Sequence, residues 1–177
     1  MPEPPPPWRE FLRALDAALS EAVALHCLGG FVVAMRYGLS RPTADLDYLD
    51  VIPARHDALL QKLAGPGSAL SRAHGLHLQH VTIASLPDRY AERLTSLWPG
   101  RFARLALFTL EAHDLALSKL ARNSPIDRED VARLVRAVPL DPVLLRERYE
   151  TELRPIIIGD LTRHDQTLAL WLEAYFA

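Results

Sequence analysis

One cysteine, two lysines and no long apolar run set the first limits on this sequence of 177 residues. With Cys27 alone, no intramolecular disulfide can form, which suits a reducing cytoplasm. No apolar stretch approaches the roughly 20 residues of a bilayer-spanning helix, so no membrane segment is expected. The opening, Met1-Pro2-Glu3 and four prolines, has neither the basic nor the apolar part of a signal peptide. Residues 1–7 read instead as a stiff, solvated polyproline lead-in, and a cytoplasmic protein is expected. A basic excess is missing too. The net charge is −2, so no global field advertises nucleic acid, although a local basic face remains compatible with it. No internal repeat is present.

What is there is ordinary for a globular chain: 49% hydrophobic and 24% charged residues. The length favours one domain with a helical extension. Arginine outnumbers lysine eighteen to two, the lysines being Lys62 and Lys119. Such a skew usually reflects genome base composition, yet it draws attention to each lysine that remains.

Phe11, Leu12, Leu15, Leu19 and Val23 recur at helical spacing and predict a first helix from Trp8 to about Val23. The apolar run from Ala24 to Leu28 predicts a buried strand closed by Gly29-Gly30. A short helix from Phe31 to Tyr37 should end at Gly38, a left-handed cap position. After the polar loop Ser40-Arg41-Pro42-Thr43, the stretch from Ala44 to Leu49 reads as a strand. Its alternation puts Asp45 and Asp47 on one face, with Leu46 and Tyr48 on the other. Helices are predicted over Arg55–Ala64 and Ser68–His74, a strand over Leu76–Ile83, a helix over Pro87–Leu97 and a strand over Arg104–Leu110. Helices then run to the end: His113–Arg122, one opened by Ser124-Pro125-Ile126-Asp127, one by Asp141-Pro142 and one capped by Asp160. The fold class is therefore α/β (α+β), a small mixed sheet flanked by helices with a C-terminal helical extension. Residues 1–7 form the lead-in, 8–110 the sheet-bearing core and 111–177 the helical region.

The chemistry concentrates between Leu28 and Asp47. Two glycines after a strand let backbone N–H groups approach a phosphate, and the helix that follows adds partial positive charge. Two carboxylates two residues apart on one strand face can converge on a hard cation such as Mg2+ or Mn2+, which also binds substrate phosphates. Transfer of a nucleotidyl group needs that neutralisation and alignment. Farther on, Lys119 and Arg122 are three apart and share a helix face able to meet an anion. A lysine at 119, in a chain that otherwise uses arginine, suits a compact ammonium. Ser124, Pro125 and Asp127 also match an ordinary helix start, which accounts for Asp127 without catalysis. Asp130 reads equally well as a solvated first-turn acid, and Lys119 and Arg122 as partners of Glu111 or Asp114.

Leu28-Gly29-Gly30 followed by Asp45-Leu46-Asp47 resembles the motif of minimal nucleotidyltransferases of the polymerase-beta superfamily. Gly29, Gly30, Gly38, Arg41, Thr43, Asp45 and Asp47 together are similar to the AbiEii-like nucleotidyltransferases of bacterial toxin–antitoxin and phage-defence systems. The block from Asp114 to Arg122, with Asp127-Arg128-Glu129-Asp130 behind it, looks like the helical motif of a bacterial branch of that group. The resemblance spans about residues 24–150. It implies a nucleoside triphosphate substrate and a Mg2+ or Mn2+ ion on Asp45 and Asp47. It further implies Lys119 on the triphosphate, with Asp127 or Asp130 in support, and Arg41 beside the phosphates or the acceptor. The expected acceptor is RNA, such as tRNA, or a protein hydroxyl, and an antitoxin protein is the implied partner.

One departure stands out. Active members usually carry a third acid on a later strand, and Leu76–Ile83 offers only His77, Gln79 and His80. Glu111 is a substitute in principle, and His80 is a conceivable base. A packed, hydrogen-bonded role for His80 and a core role for Cys27 are the simpler expectations. Ser118 and Ser85 lack the partners of a hydrolase triad. A catalytically silent binding module or partner subunit is therefore the alternative, and an adaptor docking through its helical half is a third reading.

Overall fold

A computed structural model describes residues 3–39 and 42–176 of the chain. The backbone divides into two compact units, Met1–Ile83 with Leu94–Thr109 and Ala84–Arg93 with Leu110–Ala177. The fold is mixed α/β, as the sequence implies.

The first unit carries a five-stranded sheet made of β1 (Val23–Leu28), β2 (Asp45–Ile52), β3 (His77–His80), β4 (Thr95–Leu97) and β5 (Leu105–Thr109). Its order is β3-β2-β1-β5-β4. β1 runs antiparallel to β2 and parallel to β5, while β3 lies parallel to β2 and β4 antiparallel to β5. Val23, Leu25 and Cys27 of β1 are buried, as are Leu46 and Tyr48 of β2 and Leu105 and Leu107 of β5. This alternation gives the sheet one core face. A bulge between His26 and Cys27 absorbs one extra residue of β2. It keeps Val51 and Tyr48 both facing the core, and Asp45 and Asp47 on the opposite face.

Among the described residues this unit carries α1 (Trp8–Ala18), α2 (Gly29–Met35), α3 (Asp57–Ala64), preceded by a 3-10 turn Ala54–His56, and α4 (Ala69–His74). Trp8, Phe11, Leu12 and Leu15 of α1 are buried at the spacing of one helix face. Trp8 meets Phe31 edge-on at 4.7 Å, and Phe31 meets Trp98 at 6.2 Å between ring centroids. The carboxylate of Asp16, near the end of α1, accepts backbone N–H groups of Ala103, Arg104 and Leu105 at 2.7–3.0 Å, which fixes the entry to β5. At the end of α2, Gly38 takes a φ of +67°. Its N–H and that of Leu39 return to the carbonyls of Ala34 and Val33, closing the helix as expected. The lead-in is not wholly solvated, because Pro4 is buried.

Several expected elements differ. The strand expected over Leu76–Ile83 covers only His77–His80, and Gly29-Gly30, expected as a turn, open α2, which ends at Met35. Pro87–Leu97 is not a helix: it holds one 3-10 turn, Tyr90–Arg93, and then β4. Pairing with the open edge of β5 outweighs the weak helix preference of Thr95 and Ser96. α1 stops at Ala18 rather than Val23, since Val23 begins β1. The helix predicted over His113–Arg122 covers only Ala112–Leu117, as α5. Beyond it, Lys119 and Leu120 bond back to Ala116 and Leu117, tightening the chain into turns.

The second unit is helical: α5, α6 (Pro125–Ala137), α7 (Pro142–Arg148) and α8 (Leu161–Phe176), with short π and 3-10 turns over Tyr149–Leu153 and Arg154–Ile156. Leu115, Val131, Leu134, Leu145, Leu153, Leu168 and Trp171 form its core. Ser124 caps α6 in a reciprocal box with Asp127, and Asp141 caps α7. Among the described residues no helix is long and apolar enough to cross a membrane.

Candidate functional site

Strand periodicity alone sets Asp45 and Asp47 on the face of β2 away from the core, where both are half-buried. Each is then fixed by a neighbour. The hydroxyl of Thr43 donates to Asp45 Oδ1 at 2.8 Å, with Asp45 O at 3.1 Å, so Thr43 orients the first carboxylate. Gly29 makes room for the second. A Cβ built on Gly29 would overlap the Asp47 carboxylate, with Asp47 Cγ only 2.8 Å away, and the φ of Gly29 is +72°. Two independent constraints thus demand glycine at 29: the backbone conformation and the acid seated against it. Gly30 is buried in the first turn of α2. Arg41 lies outside the described residues.

The register of β3 decides what else shares this face. Asp45 pairs with His77 and Asp47 with Gln79, so both β3 side chains stand beside the carboxylates. His80 does not. It stacks on Tyr48, with ring centroids 5.0 Å apart and planes 3° off parallel. Its Nδ1 lies 3.2 Å from Asp57 Oδ1 and its Nε2 lies 3.1 Å from Leu49 O. It is a packed, hydrogen-bonded residue of the other face, not a base for this one. Cys27 is fully buried, and burial, with the charge of Asp47 adding to it, pushes its thiol well above the usual range. Sequence reading weighed only His80 as a base, preferring a packed role for it, and it is His77 that pairs with Asp45. Only the pairing register reveals which histidine of the strand faces the acids.

The later block belongs to the second unit. Lys119 is 4% exposed and bonds Asp130 at 2.8 Å, with Asp127 at 3.8 Å. Arg122 grips Asp127 with two bonds of 2.6 and 2.7 Å. Burial raises the Asp127 pKa, but Arg122 and Ser124 outweigh it and hold the group at about 2. Lys119 thus pairs with Asp130 and Arg122 with Asp127, the acids of α6. Asp114, fully buried, lies between Arg93 at 2.8 Å and Arg148 at 3.0 Å. Glu111 caps α5 and binds His113 and Arg148, so its carboxylate is already committed to those two groups.

A family profile described as nucleotidyltransferase of unknown function (DUF6036) matches residues 10–173. The chain belongs to this nucleotidyltransferase family. No curated protein and no solved structure matches the chain significantly.

The face of β2 suits the chemistry that the family name describes. Asp45 and Asp47 offer hard oxygen donors that are reachable rather than sealed. Magnesium commonly takes one or two carboxylates and completes its shell with water and substrate phosphates. Among the described residues no three or more His, Cys, Asp or Glu side chains form a metal cage. Asp45 and Asp47 could supply two hard oxygen ligands, and as donors they fit a cation such as Mg2+ or Mn2+.

Proposed function

We propose that this chain is a metal-dependent nucleotidyltransferase that moves a nucleoside monophosphate from a nucleoside triphosphate to an RNA or protein acceptor. The observation that carries the reading is the seating of the Asp47 carboxylate against Gly29, with Asp45 held in line by Thr43. A plain strand edge has no need for a glycine beneath one acid and a hydroxyl on the other. A bound Mg2+ or Mn2+ would supply charge neutralisation on the triphosphate and on the developing negative charge. Asp45 and Asp47 would hold that cation, and the Gly29-Gly30 backbone would admit the phosphates closely. In the transfer, the acceptor oxygen bonds to the α-phosphorus as the bond to the departing pyrophosphate breaks, and the hydroxyl proton passes to water.

Within this reading the motif match assigns Arg41 the role of meeting the phosphates or the acceptor. The resemblance assigns Lys119 to the triphosphate, with Asp127 or Asp130 in support; one of its three N–H donors is already on Asp130. Arg122 keeps Asp127 in place. An AbiEii-like toxin acting in the cytoplasm, with an antitoxin protein as partner, is the biological role the motif order supports best. A second reading is favoured by one observation: the β3 positions paired with the two acids carry His77 and Gln79, not a third carboxylate. A silent binding module would look the same.

The deciding experiment incubates wild type and an Asp45→Asn/Asp47→Asn variant with each α-labelled triphosphate, Mg2+ or Mn2+, and total bacterial RNA and protein. Labelling of one acceptor class by wild type alone is the expected result. Triphosphate binding without labelling, in an extract that a known transferase does label, would put the silent module ahead.

A further inference from the structure

Three guanidinium groups of the first unit gather around one carboxylate at the start of the chain. Arg9 and Arg13 lie one turn apart on α1, and Arg101 stands in the loop before β5. All three reach Glu3, at 3.8, 3.4 and 3.7 Å. Arg9 also binds Glu10 with bonds of 2.8 and 2.9 Å, so two acids face three arginines and one positive charge is left over. The pocket they line, with Pro4, Gly100 and Phe102, encloses about 190 Å³.

The distances are informative. A guanidinium that holds a carboxylate well does so at about 2.7–2.9 Å, often with two bonds. Glu3 sits farther than that from every one of its three partners, and it arrives on a proline-rich tether. The two oxygens of the Glu3 carboxylate lie in one plane and meet the three guanidiniums only loosely, at 3.4–3.8 Å. A tetrahedral phosphate has extra oxygens to meet them. We propose that Arg9, Arg13 and Arg101 form a binding site for a backbone phosphate of single-stranded nucleic acid, with Glu3 as a tethered occupant that the phosphate displaces.

Two features favour a polynucleotide over a free phosphate. The arginines are one-third to three-fifths exposed, so the site is open and shallow, without the enclosure that retains a small anion. Phe102, half-buried, sits next to Arg101 and lines the same pocket, which offers a base a stacking surface beside its phosphate. Basic groups with an adjoining aromatic ring suit a strand whose bases are unpaired. The site goes beyond the transfer reading and is measured without triphosphate or metal, so either can fail alone.

The test is fluorescence anisotropy of a labelled single-stranded RNA, and of DNA of the same sequence, against the full chain over a series of salt concentrations. Glu3→Gln should bind about two- to fivefold tighter, the worth of removing one exposed competing ion pair. Arg13→Ala/Arg101→Ala should bind more weakly, with the slope of log affinity against log salt reduced by about one to two. Both variants change only surface side chains, and thermal melting checks that they fold. Unchanged affinity in both variants would overturn the proposal. Competition by inorganic phosphate at concentrations matching the oligonucleotide would overturn the polynucleotide assignment.

Discussion

Gly29 and Lys119 show how differently single residues can serve a site. At Gly29 the constraint is steric and local, because a methyl group there must displace the Asp47 carboxylate or the turn that carries it. Gly29→Ala should therefore abolish labelling by at least about a hundredfold, in line with the sensitivity of positioned catalytic groups to shifts of about 1 Å. Asp45→Asn/Asp47→Asn would serve as the reference loss. Retained activity in a folded Gly29→Ala protein would refute the seating of Asp47 as the key to the site. At Lys119 the constraint is electrostatic. Its ammonium meets Asp130 and Asp127 in a region almost closed to solvent. Lys119→Met leaves buried carboxylate charge with less compensation and should cost on the order of 3 kcal/mol in urea unfolding. A variant as stable as wild type, yet deficient in triphosphate binding, would move Lys119 from scaffold to ligand contact.

Among the elements, β5 depends on a residue far from it in sequence. Asp16 on α1 accepts three consecutive backbone N–H groups at the mouth of β5, and these outweigh the effect of burial, lowering its pKa. Asp16→Ala should hand the two exposed donors, of Ala103 and Arg104, to water and weaken the tie at Leu105, costing on the order of 1 kcal/mol, read by urea unfolding. Hydrogen exchange should speed up first at Ala103–Leu105. The sequence could not announce this tie, because an aspartate late in a helix looks like any solvated acid. Other elements were legible for clear reasons. β2 showed its alternation, α6 its Ser-Pro-x-Asp start, and Gly38 the end of α2. The Gly29-to-Asp47 constellation was legible for the same reason, since its glycines and acids follow one another along the chain. β4 was not, because three residues carry no periodicity and their pairing depends on an edge formed elsewhere. The choice between His77 and His80 likewise needed the β2–β3 register. The pairing of Lys119 with Asp130 needed the turn that ends α5 early.

For the molecule as a whole, a net charge of −2 hides an uneven load of buried ion pairs. In the second unit Asp127 and Asp114 are fully buried against arginines, and Glu111 is linked to Asp114 through Arg148. Asp127 and Glu111 are both held at about 2, burial being outweighed by Arg122 and Ser124 for the first and by His113 and Arg148 for the second. Their ordinary values are about 3.9 and 4.3. A carboxylate with a depressed folded pKa binds fewer protons folded than unfolded near its normal value. Its stabilisation is therefore complete above about pH 5 and is lost as the pH falls through 4 toward 2, on the order of 2 kcal/mol for Asp127. Urea unfolding at a series of pH values should show this acid limb. Asp127→Asn should flatten it and lower stability at neutral pH, where the charged group contributes most. A limb of equal slope in that variant would mean that the buried pairs of α6 do not govern acid stability, and Glu111 or other carboxylates of the chain would have to supply it.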